Sequence, residues 1–447
     1  MVMNKKNQSA DKDFNLGDLG LLIPELYMPC EDIELYRWAV VACDQHTTDR
    51  EFWKETASII GDAPSTFHMI LPEIYLEKPD ALSVDERISR INAYMRKAES
   101  DHLVWRLPQG CMLINRETPL HSSRLGLVIA VDLEHYDYTP GTDKLIRASE
   151  GTVMDRIPPR AAIRKEALFE LPHVQLLFDD AEHTVLTPLY EYLRQTNKVP
   201  CYQTTLMQNG GHITGWFLDA DNGYLQQALQ QLSNLQSLIS HHLLFAVGDG
   251  NHSLATAKAH WETIKAQARP DHPARYALVE IMNIHDQGLE FEPIHRIIFD
   301  THAEDLLQTA RTTLGSTFID AEKLSGAHLA VPEIKEDYHT YILADKHAAW
   351  EMKLQADGQP LAADTLQTWL DQMIISRPSF RIDYVHGIKA IKKLIDAGHT
   401  GILLPGLRKR DFFPTLASKG VLPRKTFSIG AAFEKRYYLE SRKIRDS

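Results

Sequence analysis

Apolar positions along this chain follow two spacings, and the spacings alternate. Short apolar runs at residues 38–42, 67–71, 110–115, 126–133 and 243–247 predict strands. Apolar residues three or four apart predict helices over 48–60, 83–97, 161–169, 184–196 and 224–240, with Thr47 or Thr48 capping the first. Residues 140–159, rich in proline and charge, predict a loop between elements. Beyond residue 300 the same reading gives helices at 303–314, 364–375 and 389–397, and strands at 341–343, 350–354 and 401–404. Such alternation predicts an α/β chain, with mixed α+β as the near alternative. A loose polar tail is expected over 1–17, a core domain over 18–300 and a C-terminal α/β region over 301–447.

One segment carries most of the candidate chemistry. The apolar run 243–247 leads into Gly248-Asp249-Gly250-Asn251-His252-Ser253, after which Leu254, Ala257, Trp261 and Ile264 recur at helical spacing. Strand, glycine turn and helix in that order aim backbone N–H groups and a positive dipole end at one point, a seat for phosphate or carboxylate. Neither GxxxxGK[ST] nor GxGxxG is present. The competing interpretation is a well-capped turn, since Asp, Asn and Gly favour turns and Ser favours helix starts.

Composition narrows the partners. The 447 residues carry 48 basic and 60 acidic side chains, a net charge of −12, which argues against a sequence-independent nucleic-acid binder. The four cysteines, Cys30, Cys43, Cys111 and Cys201, form no CxxC pair and fit reduced thiols in a cytoplasm. No apolar run reaches the 18 residues of a membrane span, and the polar N-terminus lacks a signal-peptide core. His241-His242 and the stretch 178–183 invite a metal, yet without HExxH or CxxC a structural zinc is not expected. A homo-oligomer is compatible with this composition.

Several motifs together resemble the bacterial family numbered 1015 among domains of unknown function. That family's apolar strand runs into Asp-Gly-His-His-Arg and a helix; here the motif stands as Asp249-Gly250-Asn251-His252-Ser253. Residues 66–73 resemble the family's early strand ending in Pro-Glu, and Arg147-Ala-Ser-Glu150-Gly-Thr152 resembles its Arg-His-Glu-x-Thr segment. Gly288-Leu289, Pro293-Ile-His295-Arg296, Asp383-Tyr384-Val385-His386 and Leu422-Pro423-Arg424-Lys425-Thr426 resemble later motifs. The resemblance implies a ParB/sulfiredoxin-like core with large insertions, in a superfamily that includes ADP-dependent serine kinases. It therefore implies phosphoryl transfer involving a nucleotide or phosphorylated metabolite and a serine-like hydroxyl. A phosphate-ester hydrolase and a non-enzymatic sensor or ParB-like module are the alternatives.

Roles follow from residue type. His252 is the candidate general base or phosphate ligand, since histidine titrates near neutrality. Asp249 and Glu150 are the candidate catalytic carboxylates and Mg²⁺ ligands, magnesium being the expected cofactor where one is used. Gly248, Gly250, Asn251 and Ser253 would cradle phosphate, with Thr152, His295, Lys425 and Thr426 lining the same seat. Arg147, Arg160, Arg164 and Arg296 supply forked guanidinium donors for phosphate, and Arg160 and Arg164 would replace the arginine missing from the turn. Arg160 and Arg164, four apart, belong on one helix face. Asp44, Gln45 and His46 follow the first strand, where α/β sites often form.

Overall fold

The run at 126–133 forms the strand Leu125–Asp132, buried at all eight positions as expected of a strand covered on both faces. It lies within the larger of two main sheets, whose order is Tyr202–Leu206, Gly211–Asp219, Val104–Glu117, Leu125–Asp132, Tyr276–Asn283, Val174–Phe178, Phe245–Asp249, Ile146–Arg147 and Tyr136–Asp137. Phe245–Asp249 pairs antiparallel with Val174–Phe178 and parallel with Ile146–Arg147, so the sheet is mixed. Its two faces are packed separately. Leu127, Ile129 and Val131 join one apolar cluster with helices Leu186–Gln195, Gly223–Leu238 and Asn251–Ile264. Val128, between them, faces the other cluster with Trp38, Trp53 and helix Val84–Ser100. The period-two alternation thus makes an α/β/α sandwich.

The computed structural model describes residues 15–77, 82–239, 241–325, 329–356, 358, 361–377, 379–423 and 425–445. Most of the expected tail, and Arg424, lie outside these residues; Asn15 already caps a short 3-10 turn, Leu16–Leu19. The smaller sheet runs Phe318–Lys323, Ala349–Gln355, Tyr338–Ala344, Thr400–Leu403, Phe291–Ile298 and Ile382–His386, with Phe427–Ile429 paired to the start of Phe291–Ile298. The chain then returns to the N-terminal part of the molecule in two separate two-stranded sheets. Tyr437–Tyr438 pairs with Val40–Val41, and Arg442–Lys443 pairs with Phe169–Glu170. Among the described residues no helix is long and apolar enough to cross a membrane.

The mixed α/β class is as expected, and several local expectations are corrected. Residues 67–71 are not a strand: Thr66–Met69 is a 3-10 turn. Ser65 Oγ accepts from the Phe67 N–H and Thr66 Oγ1 donates to the Trp38 carbonyl at 2.7 Å, local bonds that outcompete a ladder. In the run 38–42 only Val40–Val41 is strand, because Leu35–Trp38 is a helical turn. The helix expected at 161–169 is Ile157–Glu166, begun by the Pro158-Pro159 pair that fits a first turn. Residues 140–159 accordingly hold the strand Ile146–Arg147 and part of that helix. The cap of Arg50–Ile60 is Asp49, whose carboxylate accepts from the Phe52 N–H.

Candidate functional site

The strand Phe245–Asp249 ends at Gly250, which has φ of +84° and starts the helix Asn251–Ile264 with no side-chain cap. A Cβ on Gly250 would lie 3.0 Å from His173 Cδ2 and 3.1 Å from Val174 Cα. Gly250→Ala is therefore expected to lose about 1–2 kcal/mol from backbone strain alone, read as a lowered midpoint in chemical denaturation. At Gly248 the crowding is with Ile429, 2.5 Å from where a Cβ would stand.

The residues after the turn hold neighbouring chain in place. Asn251 Oδ1 accepts from the Ser149 N–H and its Nδ2 donates to Ser149 Oγ, both at 3.1 Å. The Ser149 carbonyl accepts from the Leu422 N–H at 2.8 Å, and Glu150 forms a bridge with Leu422. Asn251 thus ties Glu150 and the loop carrying Lys425 and Thr426 to the turn. His252 Nε2 accepts from the Val153 N–H at 3.2 Å, so that nitrogen is an acceptor and any proton sits on Nδ1. The neighbouring Thr152 hydroxyl is buried and has no hydrogen-bond partner among the described residues.

The cation beside the turn is Lys435. Its side chain is almost fully buried, with Nζ 3.3 Å from Asp249 Oδ2 and 3.3 Å from Ser428 Oγ. Asp249 is therefore paired with a lysine from the far end of the chain. His386 is pushed down to about 4, by burial first and then by Lys425 and Lys435. Among the described residues no group of three or more His, Cys, Asp or Glu is placed to hold a metal ion.

Other candidates stand elsewhere. Arg147 donates to the carbonyls of Lys144 and His241, towards the entry of the strand and away from the turn. His295 is buried, with Nδ1 accepting from the Leu404 N–H at 3.2 Å, and is pushed down to about 4 by burial and then by Arg296. Arg296 is fully buried over the Tyr384 ring and donates to the carbonyls of Ile294 and Lys425. It holds the Lys425 backbone through Nη1, and its Nε donates to Gln367 Oε1 at 3.0 Å, while its buried Nη2 has no hydrogen-bond partner among the described residues. Lys425 itself is exposed at a φ of 59°, and Thr426 Oγ1 donates to the Pro423 carbonyl.

Arg160, Arg164 and Ser253 line a cavity of about 170 Å³ beside the same helix, with Cys43, His173 and Tyr438. The two arginines do share a helix face, but each is paired: Arg160 with Glu73, and Arg164 with Glu170 at 2.7 Å, a carboxylate also held by Arg442. Of the three residues after the first strand, Asp44 contacts His173, which lines this cavity. Its Oδ2 lies 3.0 Å from His173 Nε2, and Gln45 Nε2 donates to its Oδ1 at 2.8 Å. His46 instead stacks on Phe52, ring centroids 3.5 Å apart.

Burial opposes charge on both partners of the Asp44–His173 pair, but their mutual attraction overcomes it, lowering Asp44 and raising His173. His173 consequently adds stability that is full below its unfolded value of about 6.5 and fades as pH rises through its folded value. Asp44 adds stability above about 3.8 that is lost in stronger acid. Relative to wild type, His173→Gln is expected to be most destabilised between about pH 4 and 6.5. The deficit should shrink at alkaline pH in urea melts, and one that stays constant contradicts the pair.

Lys435, His173 and Tyr438 were not singled out by motif or spacing. The usable signal was the segment Glu434-Lys-Arg-Tyr-Tyr-Leu-Glu440, whose charged and aromatic residues are all buried. Buried charge demands partners, and those partners are the turn and the first strands.

The chain belongs to the family described as protein of unknown function (DUF1015), whose model matches residues 26–377. No curated protein matches it. Solved structures similar to it include a conserved hypothetical protein from Pyrococcus furiosus, at 10% identity and a TM-score of 0.33, covering 71% of this chain and 95% of that one. SbnI with a C-terminal truncation, from Staphylococcus aureus, is 9% identical with a TM-score of 0.33, over 68% of this chain and 82% of its own. A mutant free serine kinase in complex with ADP is 10% identical with a TM-score of 0.36, over 71% and 92%. Likenesses this weak carry no argument about the chemistry of this chain.

Proposed function

We propose that this protein is an enzyme acting on a phosphorylated small molecule, a nucleotide or phosphometabolite, by phosphoryl transfer to or from a serine-like hydroxyl. The observation that carries the reading is Lys435, a nearly buried cation paired with Asp249, the residue before the glycine that opens an uncapped helix. It would supply the cation that the turn itself lacks, having Ser253 where the family's motif has arginine. The helix N-terminus and Lys435 would hold phosphate, and the orphan hydroxyl of Thr152 would gain a partner on binding. Asp249 and Glu150 are two carboxylates, which suits Mg²⁺, an ion commonly bound by one or two carboxylates plus substrate phosphates. His252, with Nε2 engaged by the Val153 N–H, is not free to act as the general base expected from its residue type and would instead donate a hydrogen bond from Nδ1 to phosphate.

A thermal-shift screen with phosphate, phosphoserine, AMP, ADP and ATP, each with and without Mg²⁺, tests the reading. A ligand at 100 times its Kd is expected to stabilise the fold by about 2.7 kcal/mol. Product analysis then separates a phosphorylated acceptor from free phosphate, the product of a hydrolase. No shift with any of these compounds contradicts the proposal.

A further inference from the structure

The cavity behind the turn helix is built differently from the turn. One wall is apolar, from Met69, Leu71, Met95 and Phe169, and its polar end holds Cys43, His173 and Tyr438. Cys43 is pinned at both backbone ends: its N–H donates to the Tyr438 hydroxyl at 3.1 Å, and its carbonyl accepts from the Glu73 N–H at 2.8 Å. Its Sγ stands 3.8 Å from His173 Nδ1. The same nitrogen is 2.7 Å from the Tyr438 hydroxyl, and the opposite ring nitrogen is set against Asp44. His173 is only 8% exposed, and its Nε2 makes no well-directed hydrogen bond although Asp44 lies close. The order is nucleophile, imidazole, orienting carboxylate. The other thiols are placed otherwise. Cys30 donates to the His102 carbonyl, Cys111 is sealed in the core, and Cys201 is exposed.

We propose that Cys43 is an acyl-accepting nucleophile, with His173 as its acid–base partner, for a short-chain ester or thioester whose aliphatic part lies on the apolar wall. About 170 Å³ is below the roughly 300–1,000 Å³ of sites for drug-sized ligands and suits a short acyl group. In the first step the Cys43 sulfur bonds the acyl carbon and the bond to the leaving group breaks. The charged His173 gives its Nδ1 proton to that leaving group and takes the thiol proton in its place. In the second, water adds to the thioester carbon, the C–S bond breaks, a carboxylic acid departs and a proton returns to the sulfur. The only co-reactant is water. Asp44 is a positioning residue, keeping Nδ1 turned to the sulfur. This site adjoins the phosphate seat through Ser253 and Gly250 but uses different reacting groups.

The test is intact-mass and peptide mapping of the full chain after exposure to S-butyryl-N-acetylcysteamine. One butyryl group on Cys43 is expected, absent in Cys43→Ser, retained in Cys201→Ala, and formed at least about 100-fold more slowly in His173→Gln. Because His173→Gln could misfold, a second measurement uses wild type alone: the butyryl thioester is expected to protect Cys43, and not Cys201, from iodoacetamide. No acyl group on Cys43, acylation of Cys201 instead, no protection, or an unchanged rate in a folded His173→Gln each overturns the proposal.

Discussion

Arg436→Met is expected to lower the unfolding free energy by about 3–5 kcal/mol. Arg436 is 3% exposed and stands between two buried carboxylates, Glu440 and Glu280, the latter at 3.5 Å. Burial opposes its charge, yet these carboxylates hold its proton more tightly than in water. Methionine matches much of the volume but leaves both carboxylates without their cation, and an uncompensated buried charge is the costly outcome. Tyr202 donates its hydroxyl to Glu440 as well, so the loss spreads to the edge strand Tyr202–Leu206. Adding Glu440→Gln to Arg436→Met is expected to recover part of the loss, because one stranded charge is removed. Guanidinium denaturation of the three proteins measures this, and a loss under about 1 kcal/mol for the single variant contradicts it.

The second large effect is on binding. Lys435→Met removes the cation that faces Asp249 and Ser428. Truncating one partner of a buried charge pair costs about 2 kcal/mol or more, a factor of at least about 30 in Kd. Affinity for a phosphate-bearing ligand is expected to fall by that factor. The variant is expected to lose some stability, since Asp249 is left without its cation, but to remain folded, because the adjacent strand pairing is made by backbone groups: the Ala42 N–H donates to the Arg436 carbonyl at 2.8 Å. Thermal melts of the unliganded variant separate a binding loss from unfolding.

How much of this could be read from residue order differs by element. The strand, glycine turn and helix at 243–264 are local: apolar spacing and Gly250 with its positive φ determine them within twenty residues, and the structure has them. That Arg160 and Arg164 share a face is likewise local. Their partners are not local. Glu73 and Glu170 come from separate elements, and only the tertiary fold neutralises the arginines that residue type marks as phosphate donors. His295 and Arg296 were read as site residues, but Arg296 is packed over Tyr384 and tied to carbonyls, a structural use of the same chemistry. Lys435 was invisible for the converse reason. Nothing around it in sequence resembles a phosphate motif, and its meaning arises when the last strands cross back to the first. The misread strand at 67–71 shows local side-chain bonding overriding an apolar run.

The central claim is that Lys435 completes an anion seat at the glycine turn. Its most direct test is isothermal titration of wild type and Lys435→Met, side by side at one salt concentration, with phosphoserine and with ADP. Binding by wild type that weakens at least about 30-fold in a folded Lys435→Met is the predicted result. Equal affinity in the two proteins, or no binding by wild type, would contradict it.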